Sequence, residues 1–316
     1  MSYSFRGKKV WVAGHRGMVG AALVRRLKGE GCDFVTVGRE SLDLTDQKKV
    51  RDWMSEMRPD CVFLAAAKVG GIHANNTQPV LFLQDNLLIQ TNVLEAAHAN
   101  DVERLVFLGS SCIYPKYAAQ PIKENSLLTD SLEPTNEWYA IAKIAGIKLC
   151  QAYRKQFNRD WISAMPTNLY GPGDNFDLES SHVLPALLRK FHEAKKFGSP
   201  SVTLWGSGNP RREFMHCDDL ADAVIFLAKN YSEAEHINVG SGEEVSIKEL
   251  AELIAEEVGY DAKLLFDASK PDGTPRKLLD SSKLNSLGWN SSRSLRNGIS
   301  QTYKHWISSL SSDHIP

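Results

Sequence analysis

Short apolar runs alternate with amphipathic stretches through the first half of this chain. "KKVWVAG", "DFVTVG", "CVFLAAA" and "RLVFLGSS" read as strands. "GMVGAALVRRLKGEG" follows the first of them, with Val19, Leu23 and Leu27 at helical spacing and glycines to stop it. "TDQKKVRDWMSEM" carries Val50, Trp53, Met54 and Met57 on one helical face, with Thr45 as the expected N-cap. A long helix is expected from Val80 to Ala99, and another after Glu137. Strands that are apolar throughout and alternate with helices require a parallel sheet covered on both faces.

After Gly171 the regularity breaks. "GDNFDLESSHVLP" reads as a loop, "ALLRKFHEAKK" as a short helix and "SVTLWGSG" as a strand. "DDLADAVIFLAKN" and "HINVG" then look like a return to the main sheet. "SIKELAELIAEEVGY" is helical, and "KLLFDASKPDGTPRK" is a strand running into a basic loop. The serine-rich end "ISSLSSDHIP" is expected to fray. The expected class is therefore α/β: a Rossmann-like doubly wound parallel sheet with a smaller, discontinuous C-terminal lobe. Residues 1–171 and 217–240 form the dinucleotide domain in this reading, and 172–216 with 241–316 the substrate lobe. A small ligand belongs in the cleft between them.

"GHRGMVG" sets Gly14, Gly17 and Gly20 between a strand and a helix start. Glycines there permit a tight turn and close approach of a pyrophosphate to the free N–H groups of the helix. An NAD-selective fold usually ends its second strand with an acidic residue for the ribose hydroxyl. Here Gly38 and Arg39 stand at that point, and Arg16 lies in the glycine loop. Two guanidinium groups suit a 2′-phosphate, so the expected cofactor is NADP.

The formal net charge of −1 and 24% charged residues give no global basic excess to hold nucleic acid. No apolar run approaches the ~18 residues of a membrane span, and "MSYSFRGKKVWVAG" lacks a secretory apolar core. Cys32, Cys61, Cys112, Cys150 and Cys217 show no paired C-x-x-C spacing. An odd, scattered set argues against a disulfide framework or a metal site. The expected setting is the reducing cytoplasm.

"EWYAIAKIAG" puts Tyr139 and Lys143 on one face of a helix. A phenol titrates near pH ~10 in water, and a cation one turn away is expected to lower that value. Ser110, in "FLGSSCIYP", could hydrogen-bond the carbonyl oxygen that receives the tyrosine proton. This is a reductase centre, with a hydride from a nicotinamide and a proton from Tyr139.

On these residues the sequence resembles the extended short-chain dehydrogenase/reductase family, which works on nucleotide sugars. "AAAKVGGI", "GSSCIYP", "EWYAIAKIAGIKLC", "PTNLYGPGDNF", "SHVLPALLRKFHEA", "WGSGNPRREF" and "PDGTPRKLLD" carry the likeness over nearly the whole chain. They resemble the branch that epimerises GDP-4-keto-6-deoxy-D-mannose at C3 and C5 and reduces its 4-keto group with NADPH. The resemblance implies an NADP site lined by Gly14, His15, Arg16, Gly17, Met18, Val19 and Gly20, then Arg39, Leu42, Asp43 and Leu44. Leu108, Gly109, Ser110, Ser111, Tyr139, Lys143, Pro166, Thr167, Asn168, Leu169 and His182 complete it. It implies a reductase triad of Ser110, Tyr139 and Lys143, with Cys112 and His182 serving epimerisation. Lys190, Trp205, Arg212, Asp272 and Lys277 fall where the family binds its GDP-sugar. It also implies a homodimer joined through helices that include Val80–Ala99 and the one bearing Tyr139.

An epimerisation beside a ketone needs a base on one face, an acid on the other and a holder for the enolate oxygen, here Tyr139 and Ser110. A thiol and an imidazole suit the proton work. Without the resemblance the residues do not choose between His182 and His216 of "EFMHCDD". Two rivals remain in view. One is another nucleotide-sugar 4-epimerase or 4,6-dehydratase; a dehydratase of this kind carries an Asp-Glu pair where Ser111 and Cys112 stand. The other is a dinucleotide-sensing protein without chemistry, against which the intact Ser110, Tyr139 and Lys143 argue.

Overall fold

The computed structural model describes residues 2–312 except 262 and 271. The elements in chain order are β1 (Lys9–Ala13), α1 (Met18–Leu27), β2 (Asp33–Val35), α2 (Gln47–Met57), β3 (Cys61–Leu64), α3 (Ile72–Thr77), α4 (Pro79–Ala99) and β4 (Arg104–Leu108). After these come α5 (Glu137–Phe157), β5 (Asp160–Pro166), β6 (Asn168–Tyr170), α6 (Val183–Phe197), β7 (Ser201–Trp205), β8 (Arg211–His216) and α7 (Cys217–Asn230). The rest are β9 (Ile237–Val239), β10 (Glu244–Ser246), α8 (Ile247–Val258), β11 (Lys263–Asp267), β12 (Arg276–Lys277), α9 (Ser282–Ser286) and α10 (Leu295–Ser312).

Six strands form a parallel sheet in the order β2-β1-β3-β4-β5-β9. Side chains along its strands alternate between two cores. Val10, Val12, Cys61, Phe63, Val106 and Leu108 meet Leu23 and Leu27 of α1 and Leu220 and Val224 of α7. Trp11, Ala13, Val62, Leu64, Leu105 and Phe107 meet Val50 and Met54 of α2, Val93 and Ala97 of α4, and Ile147 of α5. This is the doubly wound sheet expected from the apolar runs. The strand order reverses between β1 and β3, the switch point at which such sheets hold ligands beyond their carboxyl ends.

A third core joins Leu187, Leu188 and Phe191 of α6 to Val202, Leu204, Leu250, Ile254 and Ile299. Around it β7 pairs with β11, while β8 pairs with β6, β10 and β12. Leu284 and Trp289, late in the chain, pack instead into the core of the parallel sheet.

Three local expectations are corrected. The N-cap of α2 is Asp46, which accepts from Lys49 N at 3.1 Å, because Thr45 spends its hydroxyl on Asp43 Oδ1 at 2.8 Å. The last segment does not fray at Ile307: α10 runs to Ser312, and 313–316 lie outside the described residues. A short helix, α3, precedes α4, which begins at Pro79. Among the described residues no helix is long and apolar enough to cross a membrane.

Candidate active site

Beyond the carboxyl ends of β1, β3, β4 and β5 lies a cleft of about 890 Å³. The loop between β1 and α1 forms one end. Gly14 has φ +89°, and a Cβ there would sit 2.7 Å from Ala66 N. A Cβ on Gly20 would overlap the Gly14 carbonyl oxygen. Gly17 differs: a Cβ would meet nothing closer than 3.5 Å. Packing therefore requires glycine at 14 and 20, whereas at 17 it leaves open the face over the helix start. Gly17 is also the N-cap of α1, without a side chain on the free N–H groups. A helix start left open in this way can receive an anion such as a pyrophosphate.

The two arginines read from the sequence flank this end, each with a carboxylate. Arg16 makes a two-pronged ion pair with Glu40 at 2.6 and 2.7 Å, and Arg39 reaches Asp43 at 3.5 Å. Glu40 was not singled out by sequence reasoning; only the turn at Gly38 brings it back onto Arg16. Both pairs are exposed and therefore weak. A 2′-phosphate, with more charge than one carboxylate, can replace either acid as the partner.

At the middle of the cleft, β4 ends and a single 3₁₀ turn, Ser111–Ile113, begins. Ser110 caps this turn, accepting from Cys112 N at 3.3 Å. The turn is anchored from behind by Tyr114, whose hydroxyl donates to Asn238 Oδ1 at 2.6 Å and lies 3.0 Å from His236 Nε2. Tyr139 enters from the first turn of α5. Burial raises its pKa well above the ordinary phenol value, Cys112 adds to the rise, and a hydrogen bond from Ser110 opposes it. Lys143 stands behind it, Nζ 5.8 Å from the tyrosine ring centre and donating to Leu108 O at 2.8 Å. Burial brings the lysine down to about 8. The expected lowering of the tyrosine by its lysine is thus overturned: burial dominates and raises the phenol instead.

Cys112 faces the cleft with its sulfur between two donors, Asn136 Nδ2 at 3.4 Å and Lys277 Nζ at 3.6 Å. His182 is the N-cap of α6 and projects into the same space. The residue is exposed toward the cleft. Partial desolvation by the cleft walls, with nearby Lys277, holds its pKa below the usual value. His216 is buried and does not line the cleft; its Nδ1 accepts from Asp218 N at 3.2 Å. His216, Cys217 and Asp218 bring ligand-type atoms within 4.8 Å of one another. The Arg25 guanidinium, bonded to both Cys217 and Asp218, already supplies the positive charge there.

The far end of the cleft is built by the smaller lobe. Lys277 of β12 is the register partner of Arg212 of β8, so two cations 65 residues apart in sequence stand side by side. Burial lowers the pKa of Arg212, with Cys112, Asp272 and Glu133 opposing. Lys190 donates to Thr203 O at 2.9 Å and lies 5.9 Å from the ring centre of Trp205, which is 51% exposed. Asp272 has its carboxylate engaged by Ser207 N at 2.7 Å and Ser207 Oγ at 2.8 Å, and so shapes the rim.

The cleft wall includes nearly every residue named from the sequence: Gly14 to Gly20, Arg39, Leu42 to Leu44, Gly109 to Cys112, Tyr139, Pro166 to Leu169, His182, Lys190, Trp205, Arg212, Asp272 and Lys277. Leu108 and Lys143 stand one layer behind it, both buried. Asn136, also in the wall, reads from the sequence only as part of a helix entry with Pro134 and Thr135, not as a site residue.

A family model described as the NAD dependent epimerase/dehydratase family matches residues 10–240. GDP-L-fucose synthase 1 of Arabidopsis thaliana is 61% identical over 310 residues, covering 98% of this chain and 96% of that protein. GDP-L-fucose synthase of Escherichia coli (strain K12) is 54% identical over 310 residues, covering 95% of this chain and 97% of that protein. Among solved structures, a GDP-L-fucose synthetase from Naegleria fowleri bound to NADP superposes with a TM-score of 0.89 at 27% identity, covering 99% of this chain and 97% of that one.

Proposed function

The chain belongs to the NAD dependent epimerase/dehydratase family, and from that premise we propose that it converts GDP-4-keto-6-deoxy-D-mannose to GDP-L-fucose in two steps at one site. The first is epimerisation at C3 and C5; the second is reduction of the 4-keto group. One observation carries this reading beyond a plain reductase. The cleft that holds the glycine loop, Ser110 and Tyr139 is also lined by Cys112 and His182. Full-length identity of 61% and 54% to GDP-L-fucose synthases supports the same substrate.

The residues divide as follows. Gly17 and the start of α1 receive the pyrophosphate of NADP, and Arg16 and Arg39 its 2′-phosphate. NADPH supplies a hydride to C4. Arg212, Lys277 and Lys190 hold the GDP diphosphate, and the exposed face of Trp205 gives the nucleotide a surface to pack on. The 4-keto group acidifies the hydrogens at C3 and C5. Cys112 and His182 remove and return those protons, and the enolate oxygen is held by Ser110 and Tyr139. In the second step Tyr139 gives its proton to the C4 oxygen. Burial that keeps the phenol protonated at rest suits a proton donor, and Lys143 behind the ring balances the phenolate left afterwards.

We assign residues 1–171 and 217–240 to the NADP domain and 172–216 with 241–316 to the substrate lobe, supported by the separate core around α6 and α8; within the last segment Leu284 and Trp289 pack back into the core of the NADP domain. We also propose a homodimer. Val80, Leu81 and Leu88 of α4 and Trp138 and Ile141 of α5 are 37–65% exposed, an apolar surface that a second copy would cover. Free thiols at all five cysteines agree with a reducing, cytoplasmic setting. Incubation with GDP-4-keto-6-deoxy-D-mannose and NADPH tests the function. GDP-L-fucose by NMR, with stoichiometric NADPH oxidation, is the expected result. A reduced sugar that keeps the starting C3 and C5 configuration would contradict it.

A further inference from the structure

Asn136 stands at the N-cap of α5 but makes no side-chain cap hydrogen bond. A short polar side chain there ordinarily spends its oxygen on the free N–H groups of the helix. In this chain the side chain turns into the cleft. Its Nδ2 donates to Cys112 Sγ at 3.4 Å, and its Oδ1 is buried without a partner. A buried carbonyl oxygen without a donor is costly, so an orphan in a ligand cleft marks where a ligand's hydrogen-bond donor belongs. The other donor to the sulfur, Lys277, comes from a different lobe on a long flexible stem, 3.6 Å away. Asn136 is short, and its backbone is fixed by Asn136 N to Glu133 O at 3.1 Å and Ala140 N to Asn136 O at 3.0 Å. It also lies one helical turn before Tyr139, on the same helix.

We propose that Asn136 is the positioning residue of the epimerisation: its amide nitrogen holds the Cys112 sulfur toward the sugar ring while its free oxygen receives a ring hydroxyl. One side chain then sets the distance between the thiol and the carbon it deprotonates. Because the same helix carries Tyr139, the ring need not move far between the two steps. The proposal rests on the reading of Cys112 given above.

The test uses Asn136→Ala and Asn136→Asp in the full chain, with NADP⁺ titration to establish that each variant is folded. The first readout is the rate of Cys112 alkylation by iodoacetamide in the free enzyme, followed by peptide mass spectrometry between pH 7 and 9. The second is deuterium uptake at C3 and C5 of the substrate in D₂O. Loss of the donor in Asn136→Ala slows both. The carboxylate in Asn136→Asp opposes a developing thiolate and slows both further, about tenfold or more below the parent in alkylation. A residue that served only to cap α5 would give the opposite order, with Asp matching the parent and Ala trailing. That order, or alkylation equal in all three proteins, would overturn the proposal. Cys112→Ser with parent-like deuterium uptake would instead overturn the role given to the cysteine, leaving the alkylation result to stand by itself.

Discussion

At Tyr139 and Lys143 one cause, burial, shifts both groups, and in the proposed reduction it sets the pH range of that step. Burial keeps the phenol protonated, as a donor requires, and the same burial pulls Lys143 from its ordinary value to about 8. A lysine with a lowered pKa is charged below that value and neutral above it. The phenolate formed on proton transfer therefore loses its balancing cation as pH rises. The expected profile of kcat/KM for reduction falls on the alkaline side with an apparent pKa near 8. A profile flat to pH 10 would show that Lys143 does not support Tyr139. Tyr139→Phe should retain NADPH binding and lose ~10²–10⁴-fold in reduction, roughly 3–5 kcal/mol of barrier. The cofactor preference sits at the same scale. Arg16→Ala with Arg39→Ala should erode the preference for NADPH over NADH in kcat/KM, and an unchanged ratio would place 2′-phosphate recognition elsewhere. Both cations were legible in the sequence. Their acidic partners were less so: Asp43 lies four residues from Arg39, but Glu40 is 24 residues from Arg16 and meets it only in the folded turn.

Among the elements, those of the parallel sheet were the most legible, because a strand buried on both faces must be apolar at every position. β1, β3 and β4 announce themselves this way; β8, "RREFMH", does not. Of its two consecutive arginines only Arg212 lines the cleft, while Arg211 turns to Glu244 and Glu249, and the strand's ladder partners β10 and β12 are three and two residues long. No periodicity survives over so few residues. The side-by-side placement of Arg212 and Lys277 was therefore invisible, although each residue was named through family resemblance. α10 was hidden for a different reason: its serine content reads as a tail, while Ile299 and Thr302 bury it against the molecule. Helix packing also makes a demand at Gly146 of α5. A Cβ there would sit 2.7 Å from Gln90 Oε1 of α4 and closer still to the Phe107 ring of β4. Gln90 is already committed, donating to Ala142 O at 2.7 Å. Gly146→Ala should thus push α5 outward and destabilise the fold by about 1–3 kcal/mol, read as a lower urea midpoint. A midpoint at or above the parent's would mean that the helix shifts without cost.

For the whole molecule, the cleft is a product of the two lobes together. The parallel sheet brings the cofactor cradle, Ser110, Cys112 and Tyr139; the smaller lobe brings His182, Lys190, Trp205, Arg212 and Lys277. The exposed apolar surface of α4 and α5 lies on the sheet's outer side and carries the proposal of a homodimer. Ile141→Asp should convert a dimeric parent to a monomer in sedimentation velocity, and a parent that is itself monomeric would contradict that assembly. The proposed function differs from that of a plain reductase by joining proton exchange to hydride transfer in one cleft, and Cys112 is where that joining is most exposed to test. The enzyme is incubated in D₂O with GDP-4-keto-6-deoxy-D-mannose and NADP⁺, which cannot reduce, and the sugar ring is followed by NMR. The parent should place deuterium at both C3 and C5, while Cys112→Ser, near-isosteric and still able to bind both ligands, should fail to do so. Parent-like incorporation at both carbons by Cys112→Ser would contradict the account.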